Sequence, residues 1–223
     1  MERLYLYGSI GWDIDAEFVR LALEESDGDI EVRINSGGGD VFEGQTIYSL
    51  LDDHKTRNNA RVIVHVDALA ASIASIIAMA GDEIIMSDGA LMMIHNPWTP
   101  GAGGSADELR KTADVLDKIG ETLVTVYENR TGLDRETIMS LMDDETWLTA
   151  SEAINLGFAD VMASDSNVTA ASIAAFNYAN APKWLVDIPE TPVAETTESQ
   201  KAKRSIAAAK LALSRCCNKR RSA

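Results

Sequence analysis

The sequence predicts an α/β fold built on a largely parallel sheet, and three observations lead there. Short runs of strand character alternate with helical stretches, glycine-rich turns stand at the joins, and the strands are almost wholly apolar. Strands of the last kind belong to parallel sheets covered by helices on both faces. The 223 residues are 46% hydrophobic and 25% charged, enough for one ordinary core.

In chain order, Leu4 to Tyr7 reads as a short strand, Gly8 to Trp12 as a turn with glycines near both ends, and Ala16 to Glu24 as a helix that packs through Phe18, Leu21 and Leu23. A second strand, Ile30 to Ile34, runs into Asn35-Ser36-Gly37-Gly38-Gly39-Asp40 and then a helical pattern carrying Val41, Ile47, Leu50 and Leu51. Ala60 to Val66 follows as a strand and Ala70 to Met79 as a compact helix of small residues. Glu83 to Met86 and Leu91 to Ile94 are strands parted by the Ser87-Asp88-Gly89 turn. After the glycine-rich stretch from Thr99 to Ser105, Ala106 to Asn129 forms a long amphipathic helix, and a further helix runs from Asp134 to Met142. Thr149 with Glu152 makes a capping box for the last core helix, which Gly157 ends. The core is expected to close near Val161. One domain over 1–163 is therefore expected, and 164–223 reads as linker followed by a basic tail, with Lys201 to Ser214 able to form an Ala-rich helix on a partner.

Charge narrows the function classes. The formal net charge is -15, yet residues 201–223 hold eight Lys/Arg and no acid, so the rest of the chain is near -23. Such a body repels a phosphate backbone, which makes nucleic acid an unlikely partner for it and leaves only the tail as a polyanion contact. Cys216 and Cys217 are adjacent and build neither a disulfide framework nor a spaced zinc site; a reducing compartment and a cytoplasmic location are expected. The opening Met1-Glu2-Arg3-Leu4-Tyr5 lacks the pattern of a secretory leader, and Ala68 to Ala80 is too short to cross a bilayer.

Three features that carry chemistry fall at the ends of elements, where sites form in parallel sheets. The Gly37-Gly38-Gly39 turn follows a strand, Ser72 stands near the start of the small-residue helix, and His95 follows the strand ending at Ile94. A serine becomes a nucleophile when an imidazole takes its proton, and the resulting oxyanion needs backbone donors of the kind a glycine turn or helix start supplies. Ser75 offers the same hydroxyl one turn on from Ser72, and the acidic run Asp143-Asp144-Glu145 supplies candidates to orient the imidazole. His54, His65, Trp98, Trp147, Met86, Met92 and Met93 read as structural, solvated or packing residues. No Lys-Ser or Lys-Thr follows the glycines, so no ATP loop is present, and neither a metal nor a cofactor is expected.

Together, Ile34-Asn35-Ser36-Gly37-Gly38-Gly39, Ala70-Ala71-Ser72, Met93-Ile94-His95-Asn96-Pro97 and Trp147-Leu148-Thr149-Ala150-Ser151-Glu152-Ala153 resemble, in order and approximate spacing, the landmarks of the Clp protease proteolytic subunit family over roughly residues 2–163. The Gly-Gly-Gly-Asp turn, the Glu-Thr-Trp before Leu-Thr-Ala and the long C-terminal segment are most similar to the phage head maturation proteases of that family. The resemblance implies a sheet of repeated βα or ββα units shared with the crotonases, with Ala106 to Asn129 as a protruding handle helix. It implies Ser72 as nucleophile, His95 as general base, and the amides of Gly38 and Ile73 as oxyanion hole. The family's catalytic aspartate falls on Glu145, with Asp144 as the alternative; its usual turn proline is Gly37 here, and a usual glycine is Ala74.

The activity so implied is a serine endopeptidase acting on unfolded or exposed protein segments, with phage scaffold and capsid proteins as the substrates of a head maturation enzyme in the host cytoplasm. The partners implied are further copies of the chain, in a heptameric ring or a tetradecamer. Two rival readings are a crotonase-like acyl-thioester enzyme, which would need placed carboxylates instead of a Ser/His pair, and a non-enzymatic capsid assembly protein.

Overall fold

The computed structural model describes residues 1–163, 178–182 and 185. The linker, the tail and the expected helix over Lys201 to Ser214 otherwise lie outside the described residues. The elements run β1 (Glu2–Tyr7), α1 (Ala16–Glu24), β2 (Ile30–Ser36), α2 (Val41–Asn58), β3 (Val62–Ala71), α3 (Ile73–Ala78), β4 (Glu83–Ser87), β5 (Leu91–Ile94), α4 (Ala106–Thr131), α5 (Arg135–Asp143), β6 (Thr146–Thr149), α6 (Ala150–Asn155) and β7 (Val161–Ala163). The sheet order is β1-β2-β3-β4-β7, with all these neighbours parallel; β5 adds in parallel to the far end of β3, and β6 pairs antiparallel with β5. This is the α/β architecture with a mostly parallel sheet that the sequence predicts.

The largest departure is at β3. The sequence predicts a strand ending at Val66 and a helix from Ala70, whereas the strand continues to Ala71 and the helix is only Ile73–Ala78. Tertiary pairing overrides the helix preference of the alanines: Ala70 pairs with Ser36 of β2, while Leu69, Ala70 and Ala71 pair with Leu91, Met92 and Met93 of β5. Ser72 is therefore not inside a helix but at the strand-to-helix corner. The β6 strand was not foreseen either, because four residues with two threonines carry little periodic signal until β5 lies beside them.

Apolar cover on both sheet faces holds only in part. Leu4, Leu6, Val32, Ile34, Val64 and Val66 are buried on one face. On the opposite face of β1 to β3, Arg3 meets Glu31, and Arg33 bridges Glu31 and Asp67, with Tyr7 Oη donating to Asp67 at 2.5 Å. His65 stands in this network, while His54 is fully buried with Nε2 2.9 Å from Gly28 O. Both histidines are thus structural. The helix caps follow sequence: Asp15, Asp40, Ser105, Asp134 and Thr149 each accept from amides of the first turn, and the Thr149–Glu152 capping box is formed. Beyond the seventh strand, where linker character is expected, the chain returns to the core: Leu185 is fully buried with Leu69, Ala71 and Met93, and Tyr178 and Ala181 pack on the same cluster.

The glycine turn after β2 is held against the β1–α1 loop, since Ile10 N donates to Gly38 O at 2.8 Å and Asp40 N to Ile10 O at 3.0 Å. A Cβ on Gly39 would stand 2.1 Å from Ile10 O, at φ +147. Gly39→Ala is expected to destabilise the fold by about 1–3 kcal/mol, the usual cost of such strain, and urea unfolding should show a lower midpoint. An unchanged midpoint would contradict this account of the turn.

Candidate active site

Ser72 has φ 55 and ψ -129, a conformation that side-chain-bearing residues rarely adopt. Its surroundings hold it there. Ser72 N donates to Met93 O at 2.9 Å, and Ser75 Oγ donates to Ser72 O at 2.5 Å. Tyr127 of α4, fully buried, lies 2.8 Å from Ser75 Oγ; because the Ser75 proton is committed to Ser72 O, the tyrosine is the donor. Ser75 is completely buried and its hydroxyl is used in both directions, so the two serines that the sequence leaves open are separated by the structure. Only Ser72 faces the histidine.

His95 follows β5, which pairs with the end of β3, so the two strand ends bring serine and imidazole together. Ser72 Oγ lies 2.8 Å from His95 Nε2. Burial holds the imidazole below its ordinary pKa of 6.5, and the negative charge of Glu145 opposes that shift. The ring is thus neutral at physiological pH and, with its proton on Nδ1, accepts from the serine hydroxyl through Nε2.

The acidic run is divided by the end of α5. Asp143 accepts from Asn96 Nδ2 at 2.6 Å, and Asp144 caps the helix while its carbonyl accepts from Asn180 Nδ2 at 2.9 Å. Glu145 takes a left-handed backbone, φ 48, immediately before β6, and is the carboxylate whose charge acts on His95. It nevertheless makes no ion pair or hydrogen bond with the imidazole among the described residues. Its oxygens accept from Ala179 N at 2.8 Å, Asn180 N at 2.7 Å and Trp147 Nε1 at 3.3 Å.

Gly38 has φ +100, and a Cβ there would approach Ser72 Cβ to 2.8 Å, so only glycine allows the turn to lie against the serine. The two amides expected to form an oxyanion hole differ. Ile73 N–H begins α3 and has no intrahelical acceptor. Gly38 N–H instead donates to Ser36 Oγ at 3.1 Å. Beside the serine runs a groove of about 770 Å³ lined by Phe42, Ile73, Trp98, Leu116 and Leu123.

Tyr178 is the site residue that sequence reasoning missed. Its ring meets His95 edge-to-face at 5.3 Å and Trp147 at 5.6 Å, and its hydroxyl donates to Gly37 O. The available signal was the pair of apolar clusters around Phe176-Asn177-Tyr178 and Trp184-Leu185-Val186 in an otherwise Ala- and Asn-rich stretch.

A strand-to-helix serine beside an imidazole on this fold coincides with a family match. The Clp protease family model covers residues 3–166. The chain belongs to the Clp protease family. It is 33% identical over 151 residues to the ATP-dependent Clp protease proteolytic subunit 1 of Prochlorococcus marinus (strain MIT 9312), covering 67% of this chain and 75% of the relative. The ATP-dependent Clp protease proteolytic subunit of Ligilactobacillus salivarius (strain UCC118) is 32% identical over 149 residues, 66% of this chain and 73% of that one. The chloroplastic ATP-dependent Clp protease proteolytic subunit 1 of Arabidopsis thaliana is 31% identical over 172 residues, with 73% and 84% covered. As a member of this family the chain is a serine peptidase. No helix among the described residues is long and apolar enough to cross a membrane.

An NMR titration of the His95 imidazole is expected to give a midpoint below 6.5, and a lower one still in Glu145→Gln, where the charge that favours imidazolium is gone. A midpoint above 6.5, or an upward move in the variant, would contradict this electrostatic picture.

Proposed function

We propose that Ser72, His95 and Glu145 form the catalytic triad of a serine endopeptidase acting on exposed or unfolded protein segments. The observation that carries the reading is the 2.8 Å approach of Ser72 Oγ to the neutral His95 Nε2 at a strained strand-to-helix corner. Ser72 Oγ attacks the scissile carbonyl while Nε2 takes its proton; the imidazolium then protonates the leaving amine, and water resolves the acyl-enzyme by the same path. Ile73 N–H and Gly38 N–H stabilise the oxyanion, the second after leaving Ser36 Oγ. Glu145 favours the imidazolium, as its charge already does, and Asp144 is left to cap α5.

The enclosing assembly is part of the same proposal: a homo-oligomeric ring, heptameric or stacked as a tetradecamer, with α4 as the handle. Its N-terminal half supports this, since Leu109 and Val115 are exposed apolar residues while the buried side chains Leu123, Val124 and Tyr127 come later in the helix. The proposed substrates are phage scaffold and capsid proteins, processed in the host cytoplasm during head maturation. The support is the glycine-aspartate turn, the Glu-Thr-Trp sequence and the long C-terminal segment; the curated relatives named above are cellular and plastid enzymes.

Incubation with a fluorophosphonate probe followed by peptide mapping is expected to place the adduct on Ser72. Ser72→Ala should abolish labelling and lower peptide turnover by roughly 10³-fold or more, whereas Ser75→Ala should still carry the adduct. Equal labelling of Ser72→Ala would overturn the assignment. Light scattering is expected to find an oligomer; a stable monomer at working concentration would overturn the ring.

A further inference from the structure

The active site already holds a piece of its own chain. Each of its four functional parts is engaged by residues 178–180. Ala179 N and Asn180 N both donate to Glu145, the carboxylate nearest the imidazole in its electrostatic effect. The Tyr178 ring covers His95, and its hydroxyl lies in hydrogen-bonding reach of Ser72 while donating to Gly37 O.

That last bond bears directly on the oxyanion donor. Gly37 C=O and Gly38 N–H belong to one planar peptide unit, with the two groups pointing opposite ways. Tyr178 grips the carbonyl end while Ser36 Oγ holds the amide end at 3.1 Å. The peptide is thereby fixed from both sides, with its N–H committed to Ser36 Oγ. Further along, Ala181 and Leu185 anchor the segment on Leu69, Ala71, Met93 and Trp147, the strand ends that form the site floor. The anchor is apolar and separate from the polar contacts, so the segment is seated by packing and acts through hydrogen bonds.

We propose that residues 178–182, with Leu185, are an intramolecular occupant of the active site that holds it in a resting state. With the segment in place Glu145 is drawn to the 179 and 180 amides instead of the imidazole, and the Gly38 amide is withheld from the oxyanion position. Its departure frees the carboxylate, the serine and the Gly37–Gly38 peptide together. The occupant is thus the enzyme's own chain, and an incoming peptide competes with it for the same backbone carbonyl.

This proposal rests on the catalytic reading of Ser72. The full-length protein and its Tyr178→Ala, Tyr178→Phe and Asn180→Pro variants are compared by the rate of fluorophosphonate labelling at Ser72 and by peptide turnover. Tyr178→Ala is expected to label about tenfold faster, the factor that loss of a net hydrogen bond of ordinary strength allows. Tyr178→Phe, which keeps the ring packing and loses only the hydroxyl, should also label faster; it guards against an effect of misfolding. Asn180→Pro removes one of the two amides on Glu145 together with the Asn180 Nδ2 bond to Asp144 O, and should raise turnover with the Tyr178 ring unchanged. Labelling at Ser72 that is unchanged or slower in these variants overturns the resting-state clamp and leaves the serine peptidase standing. Labelling of no variant and not of the parent protein removes both readings.

Discussion

The backbone of Ser72 is the constraint on which the rest of the site depends. A φ of 55 with ψ of -129 costs on the order of 1–3 kcal/mol for a residue with a side chain, so the conformation persists only because its neighbours allow no other. On one side Met93 O takes the amide proton; on the other Ser75 Oγ, backed by the buried Tyr127, takes hold of the carbonyl. Gly38 lies so close that a methyl group there would reach Ser72 Cβ. The corner therefore exists only in the assembled core, and its product is a serine hydroxyl aimed at an imidazole on the next strand end.

The same corner sets the electrostatics. Extending β3 to Ala71 lets it pair with β5, and that pairing carries His95 to Ser72. Burial at this junction keeps the ring neutral, the state in which it can accept a proton. The antiparallel pairing of β6 with β5 then brings Trp147 and Glu145 to the other side of the same floor. One sheet edge thus supplies the proposed base, its carboxylate and the surface on which Tyr178 and Leu185 rest. The polar network of Arg3, Glu31, Arg33 and Asp67 ties β1, β2 and β3 to one another by side-chain ion pairs.

Much of this was legible in the sequence because it is local. Capping residues mark the helix starts, the apolar strands mark a parallel sheet, and the glycine turn, Ser72 and His95 announce themselves at element ends. What was not legible depends on partners far along the chain. Ala70 and Ala71 read as helix until β2 and β5 pair with them, and β6 is too short to declare itself without β5. The choice between Asp144 and Glu145 turns on where α5 ends, a boundary of a single residue. Glu145 and Tyr178 meet across more than thirty residues of chain, 34 in the case of its bond to Ala179, so no local pattern links them. The oxyanion role expected of the Gly38 amide meets a local competitor that the glycine turn does not announce, the Ser36 hydroxyl two residues away.

The strained Ser72 is the proposed nucleophile, and the Gly38 and Ile73 amides are the proposed donors to the oxyanion it creates. A crystal structure of the protein with a peptide boronate tests both at once. The expected structure has a bond between boron and Ser72 Oγ, one boronate oxygen within hydrogen-bond distance of Gly38 N and Ile73 N, and Gly38 N–H released from Ser36. A boronate bound elsewhere, or held without a covalent bond while the Ser72–His95 pair stays intact, would contradict it.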